Sequence, residues 1–187
     1  MDFAELELPG LIHVVPKRVA DARGYFSETF REDAFCARVA DVRFVQENQS
    51  LSVEAGTVRG LHFQVAPFAQ GKLVRCLAGS LYDVAVDLRT GSPAFGKWTG
   101  VTISAEVGNQ LWIPAGFAHG FCSLETNTVI SYKVTAYYSA PHDRGVAWDD
   151  PQLDVKWPKI ARPATLSEKD RAQPILAALP SCLDFKA

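Results

Sequence analysis

Apolar positions along this chain come in short runs, cut by glycine or proline every few residues. Leu11-Ile12-His13-Val14-Val15-Pro16 reads as a strand whose consecutive apolar positions imply cover on both faces. A turn at Asp21–Phe26 leads into Phe26-Ser27-Glu28-Thr29-Phe30, where aromatic and polar residues alternate, and Asp33–Arg38 predicts a short helix. Gln46, Asn48, Ser50 and Ser52 share one face if their segment is extended. Such a row of amides and hydroxyls is either solvent-exposed or the wall of a polar cavity. Lys72–Leu77 and Leu81–Leu88 flank Gly79 and predict a hairpin, with Asp83, Ala85 and Asp87 on one face of its second strand. Further strands are expected at Gly100–Ser104, Gln110–Ile113, Gly120–Ser123 and Val129–Thr135. Leu166–Asp170 and Ile175–Leu179 read as a small helical tail interrupted by Pro174. Many closely spaced short strands predict an all-β sandwich or barrel with short flanking helices. With no repeat or linker in sight, residues 1–187 read as one domain.

One stretch departs from simple alternation. In Gly56-Thr57-Val58-Arg59-Gly60-Leu61-His62-Phe63-Gln64, Arg59 and His62 stand three apart. On a regular strand they would face opposite sides. If both line one cavity the backbone must bulge at Gly60, and a glycine inside a strand is the usual mark of a bulge. The plainer alternative is a β-turn followed by a strand bearing a surface histidine.

Composition changes this picture little. The 187 residues are 48% hydrophobic and 21% charged, as in ordinary globular domains. A net charge of -2 gives no case for nucleic acid or an anionic membrane surface, so an anionic ligand needs a local basic cluster. Cys36, Cys76, Cys122 and Cys182 are widely separated and form no C-x-x-C pair, which fits reduced thiols in the cytoplasm. No signal segment and no bilayer-length apolar run is visible.

Gly56 stands six residues before His62, and Gly108 six before Pro114, with Gly116 and His119 following. These spacings resemble the two glycine-anchored motifs of the cupin jelly roll, a double-stranded β-helix. Metal-binding cupins carry a second histidine where this chain has Gln64, and a glutamate where Phe68 and Ala69 stand. His62 and His119 alone make a poor metal site, so no metal is expected. The finer pattern is more specific. Asp21-x-Arg23-Gly24-x-Phe26-x-Glu28, Gln46-x-Asn48-x-Ser50, Gly56-Thr57-x-Arg59-Gly60-Leu61-His62-x-Gln64, Lys72-Leu73-Val74-Arg75, Asp83–Arg89, Ser92-Pro93-x-Phe95-Gly96, Ile113–Phe121, Tyr132-Lys133-Val134 and Leu166-Ser167-x-Lys169-Asp170 occur in order. Together they resemble the dTDP-4-dehydrorhamnose 3,5-epimerase family over Gly10–Asp170. One departure stands out: the family's Tyr-Ser-Pro-Glu-x-Glu-Arg-Gly is here Tyr138-Ser139-Ala140-Pro141-His142-Asp143-Arg144-Gly145.

The resemblance implies a cofactor-independent inversion of C3 and C5 in a dTDP-4-keto-6-deoxyhexose. Both carbons are α to the ketone, so each inversion needs a base, an acid on the opposite face and a cation for the enolate oxygen. The absence of a glycine fingerprint for nicotinamide agrees with this. His62 is the expected base, because a neutral imidazole titrates near working pH. The resemblance supplies Asp170 as its partner, although Ser167-x-x-Asp170 is also capping-box-like spacing. Lys72 is the expected enolate stabiliser and Tyr132 the acid. The alternatives are a solvated strand-start lysine and a core aromatic in line with Ile130 and Val134. Arg23 and Arg59 suit the diphosphate, Glu28 the thymine imide, Gln46 and Asn48 the base or sugar, and Phe26 and Tyr138 a stacking role. His119, Asp143 and Lys169 carry over as substrate contacts. The resemblance also implies a homodimer with exchanged N-terminal strands. The nearest alternatives are an epimerase that inverts a single carbon and a ketoisomerase on the same frame.

Overall fold

The computed structural model describes residues 1–180, and Cys182 lies outside the described residues. The strands are β1 (Asp2–Glu5), β2 (Ile12–Val15), β3 (Arg18–Asp21), β4 (Gly24–Ser27), β5 (Gln46–Ser52), β6 (Val58–Gln64), β7 (Lys72–Ala78), β8 (Ser80–Asp87), β9 (Trp98–Ser104), β10 (Gln110–Ile113), β11 (Phe117–Ser123), β12 (Thr128–Val134) and β13 (Asp143–Gly145). Two short helices are α1 (Glu32–Arg38) and α2 (Glu168–Arg171).

A six-stranded sheet in the order β1-β2-β10-β7-β12-β5 packs on a five-stranded sheet in the order β13-β6-β11-β8-β9. Every pairing within them is antiparallel. The jelly-roll expectation therefore holds. Alternation along each strand decides what fills the space between the sheets. Leu81 and Ala85 of β8 face inward, onto Val74 of β7, Leu111 and Ile113 of β10 and Phe117 and Phe121 of β11. The other face of the five-stranded sheet carries Leu61, Phe63, Val84, Val86 and Ala118, covered by Val146, Leu153 and Leu176 of the C-terminal segment. The other face of the six-stranded sheet is covered in part by α1, where Phe35 meets Trp112, Leu73 and Val14. Val14 of β2 packs on this side, and Leu11, just before the strand, lies in the inter-sheet core.

The expected hairpin of Lys72–Leu77 and Leu81–Leu88 does not exist. β7 pairs with β10 and β12 in the larger sheet, while β8 pairs with β11 and β9 in the smaller one. Gly79, at φ +74, turns the chain across the sandwich at this point. A side chain there would bring its Cβ to 2.8 Å from the Thr128 hydroxyl. Two apolar runs around a glycine satisfy the hairpin rule, but both need burial on two faces, and pairing in separate sheets provides it. β3 and β4 form a separate two-stranded ribbon. Ile175–Leu179 supplies a single tight turn, with Leu176 buried.

Candidate active site

The bulge expected at Gly60 is present. β11 faces β6 with His119 opposite His62 and Phe121 opposite Arg59, so one residue of β11 spans two of β6. Gly60 has φ +120, and a Cβ there would lie 2.5 Å from the Gly120 Cα. Only glycine fits this close approach. The extra residue turns Leu61 outward into the buried cluster behind the sheet, and it aims Arg59 and His62 into the same cavity.

That cavity, about 340 Å³, opens between the sheets and is lined by Ser50, Arg59, His62, Lys72, His119, Tyr132, Thr165, Ser167, Lys169 and Asp170, among others. A second lobe of about 200 Å³ shares His62, Lys72, Tyr132 and Lys169 with it, and adds Asn48, Gln64, Gln70, Tyr138 and Asp143. The inward row of β5 is thus a polar cavity wall rather than a solvent face.

His62 Nε2 lies 2.5 Å from Asp170 Oδ1. With its Nε2 hydrogen donated to the carboxylate, a neutral His62 keeps its lone pair on Nδ1, the nitrogen able to accept a proton. The Ser167–Asp170 spacing makes a helix cap and also brings Asp170 to His62. Ser167 caps α2 by accepting from the Asp170 amide at 3.1 Å, and this cap holds the carboxylate against His62. Burial pushes the Asp170 carboxyl up, but the bond from His62, its charge and the Ser167 hydroxyl together leave it below the usual carboxylate range.

Lys72 begins β7 as a buried residue, not a solvated one, and its ammonium donates to the His62 carbonyl at 3.1 Å. Burial brings its pKa down to about 8, against the opposing charges of Asp143 and Asp83. The Tyr132 phenol is raised by burial, while the Arg59 charge and Asn48 pull the other way. Tyr132 packs on the inter-sheet core and also lines both lobes, so it is core aromatic and cavity wall together. Lys169 pairs with Asp143, which also accepts from the Tyr138 hydroxyl at 3.1 Å.

His119 holds a second histidine–carboxylate pair, 2.5 Å from Asp83 Oδ1. Burial lowers the pKa of His119 in spite of the Asp83 charge, and its Nε2 faces a fully buried carboxyl group. Asp83 was legible only as a residue sharing a face with Ala85 and Asp87. Nothing in the spacing of positions 83 and 119 announces the pair.

Three expected contacts lie apart from the cavity in this chain. Arg23, with a side chain 90% exposed, pairs with its neighbour Asp21. Phe26 is 74% exposed on β4. Glu28 faces Arg31 at 3.9 Å. Gln46 sits at the rim, where its side chain accepts from the Tyr138 amide and donates to Asn48. Among the described residues no group of three or more His, Cys, Asp or Glu is gathered as a metal ion requires. No helix among them is long and apolar enough to cross a membrane.

Comparison with known proteins agrees with this geometry. A dTDP-4-dehydrorhamnose 3,5-epimerase from Sinorhizobium fredii is 59% identical over 99% of this chain and 94% of its own. The crystal structure of a dTDP-6-deoxy-D-glucose-3,5-epimerase from Legionella pneumophila, in complex with dTDP-4-keto-L-rhamnose, superposes with a TM-score of 0.92 at 39% identity. It covers 100% of this chain and 99% of that one. A 3'-monoepimerase from Streptomyces bikiniensis, in complex with dTDP-quinovose, reaches a TM-score of 0.85 at 32% identity over 92% of this chain and 86% of its own. Residues 5–178 match the sequence model of one family. On this match, and on the likeness of both sequence and fold to its members, the chain belongs to the dTDP-4-dehydrorhamnose 3,5-epimerase family.

Proposed function

We propose that His62, oriented by Asp170, removes the protons at C3 and C5 of dTDP-4-dehydro-6-deoxy-D-glucose, and that Tyr132 returns a proton to the opposite face. The Lys72 ammonium stabilises the enolate oxygen formed in between. The reaction is the family's double epimerisation to dTDP-4-dehydro-L-rhamnose in dTDP-rhamnose biosynthesis, and the chain is an isomerase. The observation that carries the assignment of roles is the 2.5 Å His62–Asp170 pair on the cavity wall, beside a buried ammonium bonded to the carbonyl of the same histidine. Removal and return of a proton at a carbon α to a ketone need no hydride, so no cofactor enters the scheme. Arg59, Asn48, Gln46, His119, Tyr138, Asp143 and Lys169 hold the nucleotide and sugar, with the guanidinium on the diphosphate.

Proton NMR in deuterium oxide tests the reading. With dTDP-4-dehydro-6-deoxy-D-glucose, deuterium enters both C3 and C5. Exchange at a single carbon would make the chain a monoepimerase, and exchange at neither would refute the assignment.

The working unit in this reading is a homodimer in which β3–β4 and the residues after it reach the partner's cavity, bringing Arg23, Phe26 and Glu28. Support comes from the ribbon itself, which exposes Val19, Tyr25 and Phe26 and pairs with neither large sheet. A chain carrying Arg23→Ala and Glu28→Ala, refolded together with a His62→Ala chain, regains activity because one pocket of the mixed dimer is intact. A monomer by light scattering, or no recovery on mixing, would remove this part. The setting is the cytoplasm, in keeping with the unbridged thiols of Cys36, Cys76 and Cys122.

A further inference from the structure

Gln64 occupies the position at which a metal-binding cupin would carry its second histidine, two residues beyond His62 on the same face of β6. Its side chain is buried and fully committed. Nε2 donates to the Phe68 carbonyl at 2.7 Å and to the Tyr137 carbonyl at 3.1 Å. Oε1 accepts from the Ser139 amide at 2.7 Å. Two carbonyls on one side and an N–H on the other fix which end is nitrogen. Through these bonds one amide ties two separate segments to β6. The Phe68 turn leads to Gln70, and the Tyr137–Ser139 segment carries Tyr138; both line the smaller lobe. The loop is further closed by the Ser139 hydroxyl on His142 Nδ1 at 2.8 Å, by the Val65 amide on the His142 carbonyl, and by the His142 ring against Phe68. This is the loop whose sequence departs from the family pattern, and it leads directly into Asp143.

We propose that Gln64 is a positioning residue for substrate binding: it holds the Tyr137–His142 loop against β6, so that Tyr138 and Asp143 face the smaller lobe. The proposal rests on the reading of Tyr138 and Asp143 as substrate contacts. A histidine cannot reproduce one acceptor and two donations, and a glutamate keeps the acceptor but turns a carboxylate toward two carbonyls.

Gln64→Leu and Gln64→Glu test it, the second guarding against a first that fails to fold. Each raises KM for dTDP-4-dehydro-6-deoxy-D-glucose about tenfold and leaves kcat within about threefold, because the lost hydrogen bonds serve the loop and not the reacting atoms. In a Tyr138→Ala, Asp143→Ala background the same change adds less than about twofold, since residues acting as one unit are not additive. Amide exchange of Tyr138 and Ser139 quickens, while that of the β6 interior holds. Loosened amides with an unchanged KM, or full additivity in the double background, would overturn the proposal. If the wild-type protein fails to turn over this sugar, the substrate assignment falls. The amide exchange and the affinity for dTDP still decide for or against Gln64.

Discussion

The same two sheets enclose two different interiors. Toward β9 and β10, Leu11, Leu81, Ile103, Leu111 and Ile113 pack together in one apolar cluster. Toward β5 and β6, the inward positions are Asn48, Ser50, Arg59, His62, Lys72, His119 and Tyr132. Single strands contribute to both. β7 presents Lys72 and then Val74, β11 sets His119 between Phe117 and Phe121, and β12 follows Ile130 with Tyr132. The difference teaches how a β-sandwich acquires a site without changing its frame. The apolar interior stabilises the fold, at about 25 cal/mol per Å² of apolar surface removed from water. The polar interior costs stability unless each group finds a partner. His62 has Asp170, His119 has Asp83, and Lys72 has a carbonyl.

Substitutions separate the two interiors. His62→Ala abolishes deuterium exchange at both carbons, a loss on the order of 10²–10⁴-fold or more in kcat, while dTDP affinity changes little. Substantial residual exchange at either carbon would show a second base. Leu111→Ala does the reverse. It costs about 2–5 kcal/mol in urea unfolding and leaves kcat per folded molecule near the wild-type value. If it removed activity without removing stability, the division into two interiors would fail.

Tyr132→Phe keeps the ring and deletes the phenol. Product formation falls about a hundredfold, yet deuterium still enters, because an enolate made by His62 is reprotonated on its original face. Epimerised product at the wild-type rate would take the acid role from Tyr132.

The smallest effect is a pH limb. In the proposed scheme Lys72 must be an ammonium to oppose enolate charge, so kcat/KM declines as pH rises through about 8. Stability moves the other way. The folded pKa lies below the ordinary lysine value of 10.5, so the unfolded chain binds the extra proton, and stability rises with pH between about 8 and 10.5. Lys72→Arg, which stays charged, removes the limb at 8. A limb that persists in that variant belongs to another group.

Local pattern made much of this legible. Alternation found most of the sandwich strands, and the glycine between Arg59 and His62 announced the bulge that brings both to one cavity. The order of short motifs named the residues of the cavity wall, Lys72, Tyr132 and Asp170 included. What failed was non-local. The hairpin rule sees Gly79 and its flanks but not the sheet in which each flank will be paired. Parity put Asp83 on a face with Ala85, but only the pairing of β11 alongside β8 sets His119 next to it. Arg23, Phe26 and Glu28 were named by their motif, and within this chain they lie apart from the cavity.

Asp170 belongs to neither sheet. It sits on a four-residue helix in the segment that follows the last strand, bonded to its own cap at Ser167 and to His62. So short a helix has no stability of its own and persists only while docked. The fraction of competent molecules is therefore set by a local docking equilibrium as well as by global unfolding. If Asp170 orients the base as proposed, heat or denaturant that frees this segment stops turnover while both sheets remain folded, and loss of activity precedes loss of the β-sheet signal.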